Sequence, residues 1–185
     1  MNLSNKLTIF RIILVPFFLA CMLCEKFLLS LVLFLLAILT DFLDGKIARL
    51  KNEVTDFGRF LDPIADKILT TSAYLYFAKL NFFSIVPIFL ILSREFVVSA
   101  VRLLACSNGQ VVAANFWGKL KTFFQTLSII FAILFLYFSI NLKFKSNFLN
   151  FFVLFSNIFV WLSAIISVIS GFSYAREYLN FKIED

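Results

Sequence analysis

Apolar stretches, each about twenty residues long and so able to cross a bilayer as a helix, follow one another along almost the whole chain. Short polar links separate them, and the two longer links lie at 50–61 and 106–119. We predict an all-α integral membrane protein with six transmembrane helices and a short N-terminal juxtamembrane segment. The predicted spans are, approximately, 8–24, 27–49, 62–80, 83–105, 120–141 and 148–172.

The composition supports this interpretation. The chain has 185 residues, of which 62% are hydrophobic and 15% charged, whereas soluble domains average about 25% charged residues. Six spans leave no room for a further soluble domain, so we predict one membrane domain over 1–185. Basic residues followed by an apolar run can also indicate a secretory signal peptide. Since more spans follow, we interpret the first run as a span that is retained.

The distribution of basic residues predicts the orientation, because cytoplasmic loops of membrane proteins are enriched in Lys and Arg. With both termini in the cytoplasm, the outer side carries only Lys26, Lys79, Lys143 and Lys145. We therefore expect a multi-pass protein of the inner (cytoplasmic) membrane. The net charge of +6 suits anionic lipid headgroups. Nucleic-acid binding is not expected, since the basic residues belong to membrane helices.

Four aspartates stand out at the predicted cytoplasmic ends of the second and third spans. Asp41 and Asp44 are spaced i,i+3, and Asp62 and Asp66 are spaced i,i+4, so each pair shares one helix face. An acidic residue at the centre of a membrane helix costs roughly 2.5–3.5 kcal/mol. Two facing carboxylate pairs would suit hard divalent cations. The chain has no histidine, which leaves carboxylates as the expected proton acceptors.

An alternative is that these acids are solvated charges at two helix ends. It would account for Glu53 and Asp56 in the link, but not for spaced acids beside the small residues Gly45, Ala48 and Gly58. Glycine in a helix costs about 1 kcal/mol relative to alanine. Gly45 and Gly58 therefore indicate close approach of a ligand or of another helix.

The whole segment fits the pattern D-x2-D-G-x2-A-R-x8-G-x3-D-x3-D without departure. It resembles the signature of the CDP-alcohol phosphatidyltransferase family. The resemblance implies six transmembrane helices, a homodimer, and transfer from a CDP-linked lipid to an alcohol with release of CMP. It also implies two Mg2+ or Mn2+ ions held by Asp41, Asp44, Asp62 and Asp66, with Asp66 as general base. The residues implied to bind the CDP-lipid are Asn5, Thr8, Gly45, Ala48, Arg49 and Gly58.

Two of these assignments have structural alternatives. Arg49 can donate a forked pair of hydrogen bonds to a phosphate, or it can anchor the helix at the cytoplasmic surface. Asn5 and Thr8 can lie near the nucleotide, or they can cap the first helix. For Lys6 and Arg11 we expect positions near lipid headgroups.

A second group of basic residues lies in SREFVVSAVR and GKLKT. Arg94 is placed well inside an apolar run, where an ionisable group indicates function; a charge balance with Glu95 is the alternative. A basic pocket here would select an alcohol that carries its own phosphate. These segments resemble the phosphatidylglycerophosphate synthase branch of the family, whose acceptor is sn-glycerol 3-phosphate. The candidate phosphate-binding residues are Arg94, Arg102, Lys119 and Lys121.

The resemblance thus favours an enzyme of phospholipid biosynthesis that uses CDP-diacylglycerol and glycerol 3-phosphate. One rival keeps the chemistry with another acceptor: inositol phosphate, serine or phosphatidylglycerol. A second rival is a cation transporter with the aspartates along its pathway, although no matching polar residues occur towards the outer half. A purely structural membrane protein does not account for the aspartate spacing.

Overall fold

The computed structural model describes the backbone at 3–51, 56–107, 116–143 and 146–184, and the side chains at 6–41, 64–65, 67–102, 116–143 and 147–173. Across these ranges there are six α-helices and no β-strand. The predicted all-α fold with six helices is therefore confirmed. The helices are α1 (Leu3–Leu23), α2 (Phe27–Lys51), α3 (Asp56–Lys79), α4 (Ile85–Ser107), α5 (Phe116–Leu136) and α6 (Ser146–Glu184), and a π-helical turn at Tyr137–Asn141 extends α5.

Three helical segments in the described part of the chain are long and apolar enough to cross a membrane: Lys6–Leu23, Phe116–Asn141 and Asn147–Ser173. The apolar part of α2, Phe27–Asp41, is shorter. Large apolar side chains are exposed on all six helices, and such a surface indicates contact with lipid. The chain is a multi-pass membrane protein; that all six helices cross the bilayer stays a prediction.

Sharp turns join α1 to α2 and α3 to α4. In each, a residue with positive φ follows the helix: Glu25 at 58° and Asn81 at 53°. The amide of Lys26 donates to the carbonyl of Cys21, and the amide of Phe82 donates to that of Phe77. These bonds pair carbonyls that the end of a helix leaves without partners. Each turn reverses the chain, so the helices form antiparallel hairpins.

The helices pack in two groups. α1 packs mainly on α2 and α3, whereas α6 packs mainly on α4 and α5. Contacts of α2 with α5, and of α3 with α4 and α5, join the two groups. Aromatic rings fill both: Phe18 meets Phe34 in the first, and Phe131 meets Phe155 and Phe159 in the second. The phenylalanines therefore build the core as well as the lipid-facing surface.

Candidate functional site

A cavity of about 320 Å³ opens where the two groups of helices meet. Part of its wall is apolar, with Phe34 and Leu69 among the residues that line it. The polar part of the wall comes from α1, α2, α3 and α5, and it combines both signs of charge with three hydroxyl groups. These polar residues are Arg11, Asp41, Thr70, Lys119, Thr122 and Thr126.

An ion pair joins two helices at this cavity. Nη1 of Arg11 on α1 lies 2.8 Å from Oδ1 of Asp41 on α2; Arg11 is buried, and Asp41 is half exposed. Arg11 precedes Glu25 in the turn by about as many residues as Asp41 follows it. The antiparallel hairpin therefore places the two residues side by side at the same height. Removing a buried cation from water is costly unless a nearby anion compensates. Asp41 provides that anion and holds Arg11 at the cavity wall.

The α5 wall of the cavity carries a lysine and two threonines on one helix face. Lys119, Thr122 and Thr126 are spaced i, i+3 and i+7, which aligns them along the helix. Oγ1 of Thr122 donates to the carbonyl of Lys119 at 2.8 Å. From α3, Oγ1 of Thr70 donates to the carbonyl of Lys67 at 3.3 Å. The cavity therefore offers cationic groups and hydroxyl oxygens to an anionic, hydrogen-bonding ligand.

A second polar cluster is centred on Glu95 of α4. Nζ of the buried Lys121 donates to Oε1 of Glu95, and Nη1 of Arg94 lies 3.9 Å from Oε2 of the same carboxylate. Nη2 of Arg94 also donates to Oγ of Ser170 on α6 at 2.5 Å. The charge balance between Arg94 and Glu95 that the sequence offered as an alternative is thus present. It includes Lys121 as a third member.

The four basic residues predicted at the acceptor phosphate occupy three environments. Lys119 lines the cavity with Asp41, and Arg94 and Lys121 join Glu95. Arg102 lies on α4 with an exposed side chain. Lys119 and Lys121 belong to one short sequence motif, but their side chains lie on different faces of α5: Lys119 lines the cavity, and Lys121 contacts Glu95.

The remaining predicted residues are placed by the helices that contain them. Thr8 is buried on α1, three residues before Arg11. Eight further predicted site residues have side chains outside the described part of the structure, so the contacts predicted for them stay predictions. Of these, Asn5 belongs to α1, Asp44, Gly45, Ala48 and Arg49 to α2, and Gly58, Asp62 and Asp66 to α3.

Of the four predicted metal ligands, Asp41 is the one whose side chain the structure describes. The described side chains contain no cluster of three acidic, cysteine or histidine residues, and the other three predicted ligands lie outside them. The half-exposed carboxylate of Asp41 lines a cavity. Its oxygen atoms are of the kind that Mg2+ and Mn2+ prefer. This residue therefore fits the predicted cation chemistry.

Sequence reasoning misplaced one residue at the site. Arg11 was expected near lipid headgroups, and this is wrong: its side chain is only 1% exposed and contacts Asp41. The signal was present, since an arginine in an apolar run indicates function, but the positive-inside pattern offered a simpler explanation. Thr70 and Thr126 carry no comparable signal, because hydroxyl groups are common in membrane helices.

Comparison with known proteins gives a consistent result. The model of the family described as "CDP-alcohol phosphatidyltransferase" matches residues 1–169. The chain is similar to the CDP-diacylglycerol–glycerol-3-phosphate 3-phosphatidyltransferase of Bacillus subtilis, at 38% identity over 69% of this chain and 74% of the relative. The proteins of the same name from Haemophilus influenzae (36% identity, covering 69% of this chain and 73% of the relative) and Rickettsia typhi (41%, 69% and 74%) are also similar. The chain belongs to the CDP-alcohol phosphatidyltransferase family.

Proposed function

We propose that this protein transfers the phosphatidyl group of CDP-diacylglycerol to sn-glycerol 3-phosphate, giving phosphatidylglycerophosphate and CMP. One observation carries the proposal: Asp41 of the aspartate signature and Lys119 of the predicted acceptor site line the same cavity. A transferase needs its two substrates side by side, since holding them in reacting geometry lowers the barrier. The names of the relatives support this choice of donor and acceptor.

The reaction needs one proton acceptor and one leaving group. The acceptor hydroxyl attacks the β-phosphorus of the CDP-lipid, and a new P–O bond forms. The bond from that phosphorus to the bridging oxygen breaks, and CMP leaves with the electron pair. Asp66 is the proposed general base that takes the hydroxyl proton, as a carboxylate near the hydroxyl can do. These bond changes and the proton transfer complete the reaction without a covalent enzyme intermediate.

The proposed ligands of two Mg2+ or Mn2+ ions are Asp41, Asp44, Asp62 and Asp66. Bound divalent cations would neutralise the diphosphate and stabilise charge on the departing oxygen. Arg11 supports this arrangement from α1 by orienting the carboxylate of Asp41, as residues behind metal ligands commonly do. The proposed CDP-lipid contacts are Asn5, Thr8, Gly45, Ala48, Arg49 and Gly58.

Lys119 is the proposed contact for the acceptor phosphate, because it lies at the cavity beside Asp41. Its ammonium group can donate hydrogen bonds to phosphate oxygens. Arg102 and Arg94 stay proposed members of the same basic region. Selection of an acceptor that carries a phosphate follows from this positive charge, and an uncharged or zwitterionic acceptor would gain less from it.

The proposed setting is the inner membrane, with both termini and the site on the cytoplasmic side. CDP-diacylglycerol would enter laterally from the bilayer, and glycerol 3-phosphate from the cytoplasm. The apolar surface of the helices supports contact with membrane lipids. A homodimer is part of the proposal and is tested by cross-linking in native membranes.

The direct test measures CMP released by the purified protein in detergent with CDP-diacylglycerol and Mg2+. Glycerol 3-phosphate, serine, inositol phosphate and phosphatidylglycerol are compared as acceptors, and Mn2+ as the alternative cation. Release that requires glycerol 3-phosphate supports the proposal. CMP release with only one of the other acceptors would support the proposed transfer reaction but reject glycerol 3-phosphate as the acceptor. Cation flux in liposomes without CDP-lipid would favour the transporter.

A further inference from the structure

Two lysines of α5 serve different surfaces. Lys121 follows Lys119 by two positions, which corresponds to a rotation of about 200° around a helix with 3.6 residues per turn. Lys119 faces the cavity with Thr122 and Thr126. Lys121 is buried, and its face continues with buried Gln125 and Ser128. One small phosphate cannot lie against both faces of the helix, so the second lysine needs another explanation.

The surroundings of Lys121 supply that explanation. Its ammonium group donates to Glu95 of α4, and its carbonyl accepts a hydrogen bond from Oγ of Ser163 on α6 at 3.4 Å. The same carboxylate lies near Arg94, which donates to Ser170 of α6. Polar contacts thus tie three helices together, with Lys121 of α5 joined to both α4 and α6.

These contacts restrict how α5 can turn about its axis. A rotation of α5 by one residue step, about 100°, would move Lys121 away from Glu95. The ammonium group of Lys121 and the carboxylate of Glu95 would then lose each other as partners in a buried region. Such a loss is strongly unfavourable, because a buried charge is stabilised mainly by its partner. The same rotation would take Lys119, Thr122 and Thr126 out of the cavity wall. The position of the cavity face is therefore coupled to the ion pair on the opposite side.

We propose that Glu95 and Lys121 are positioning residues, whose buried ion pair fixes the rotation of α5 and so presents Lys119, Thr122 and Thr126 to the acceptor. This assignment rests on the proposed function for its substrate, but the helix rotation itself is a separate, measurable property. It gives Lys121 an indirect role through Lys119, in place of direct contact with the acceptor phosphate.

Kinetics test the role in catalysis. Glu95→Gln and Lys121→Met should each raise the KM for glycerol 3-phosphate by about tenfold or more, since small misplacements of binding groups are costly. The KM for CDP-diacylglycerol should stay within about twofold, because the proposed CDP-lipid contacts belong to α1, α2 and α3 and not to α5. The double variant should be less impaired than the product of the single effects, since neither charge is then left behind. Lys121→Arg should retain most of the activity.

A matched control removes a buried polar contact far from this cluster. The hydroxyl of Tyr76 donates to the carbonyl of Met22 at 2.9 Å, between α3 and the end of α1. Tyr76→Phe should leave both KM values unchanged. Equal effects of Glu95→Gln on both substrates, or full additivity in the double variant, would reject the positioning role.

Thiol labelling tests the rotation without any activity. In a protein with Cys21, Cys24 and Cys106 changed to Ser, Thr122→Cys should react with a water-soluble maleimide from the cavity. Adding Glu95→Gln should slow the labelling of this cysteine. Glu95→Asp keeps the negative charge on a shorter side chain, and it should slow the labelling less; it replaces Glu95→Gln if that variant does not fold. Unchanged labelling in both would overturn the inference. Absence of CMP release from the unsubstituted protein would instead reject the proposed function and leave the labelling result interpretable.

Discussion

Arg11 and Asp41 form an ion pair between α1 and α2, with 2.8 Å between Nη1 and Oδ1, at the wall of the cavity that also contains Lys119. The pair joins a buried cation in the first helix to the first carboxylate of the aspartate signature. It therefore connects the N-terminal segment with the proposed metal site, and it makes Arg11 part of the site.

Arg11→Met should lower kcat/KM for CDP-diacylglycerol about tenfold to hundredfold, because removing one member of an ion pair that is buried on one side leaves the other without its compensating charge. Asp41 would lose the guanidinium that orients it. Arg11→Lys keeps the charge without the fork and should be less impaired. The measurement is CMP release at varied CDP-lipid concentration. Equal activity of Arg11→Met and the unsubstituted protein would remove Arg11 from the site.

Asp41→Asn should raise the Mg2+ concentration required for half-maximal CMP release by at least about tenfold, as commonly follows the loss of groups around a metal. The amide retains the size of the carboxylate but not its charge. Mn2+ titration of the two proteins, followed by paramagnetic broadening, gives a readout independent of turnover. An unchanged cation dependence by both methods would reject Asp41 as a ligand.

Lys119→Met should raise the KM for glycerol 3-phosphate about tenfold to hundredfold, since the cavity would lose a charged hydrogen-bond donor. The KM for CDP-diacylglycerol should change little. Lys79→Met is the matched control, because Lys79 is an exposed lysine at the end of α3. If the two variants gave the same kinetics, Lys119 would have no part in acceptor binding.

Asp66→Asn should abolish turnover while the protein still binds CDP-diacylglycerol, because the amide cannot take the hydroxyl proton. Binding is measured by the shift in thermal unfolding that CDP-diacylglycerol produces, since ligands that bind the folded state stabilise it. Retention of full CMP release by this variant would exclude Asp66 as the base.

The orientation is tested at the turn between α1 and α2. Cys24 is exposed, and the positive-inside pattern predicts that this turn lies outside the cytoplasm. In a protein whose other cysteines are changed to Ser, a membrane-impermeant maleimide added to intact cells or spheroplasts should label Cys24. Labelling that occurs only after the cells are opened would reverse the orientation.

The helices were predictable because apolar runs alternate with polar links along the chain, and hydrocarbon leaves the backbone few other ways to pair its polar groups. The side-chain partners were less accessible. Lys119 and Lys121 look equivalent in GKLKT, and only helix packing separates the cavity lysine from the one paired with Glu95. Arg11 looked like a surface anchor, since sequence does not reveal that the hairpin at Glu25 brings it level with Asp41.

The proposed reaction in this cavity joins the phosphatidyl group of a CDP-lipid to glycerol 3-phosphate. The most direct measurement is CMP release by the purified protein with CDP-diacylglycerol and Mg2+, with and without glycerol 3-phosphate, and with phosphatidylglycerophosphate identified by mass spectrometry. We expect CMP and phosphatidylglycerophosphate to form in equal amounts, and each only when glycerol 3-phosphate is present. No CMP with any acceptor, at saturating Mg2+ or Mn2+, would contradict the proposed reaction.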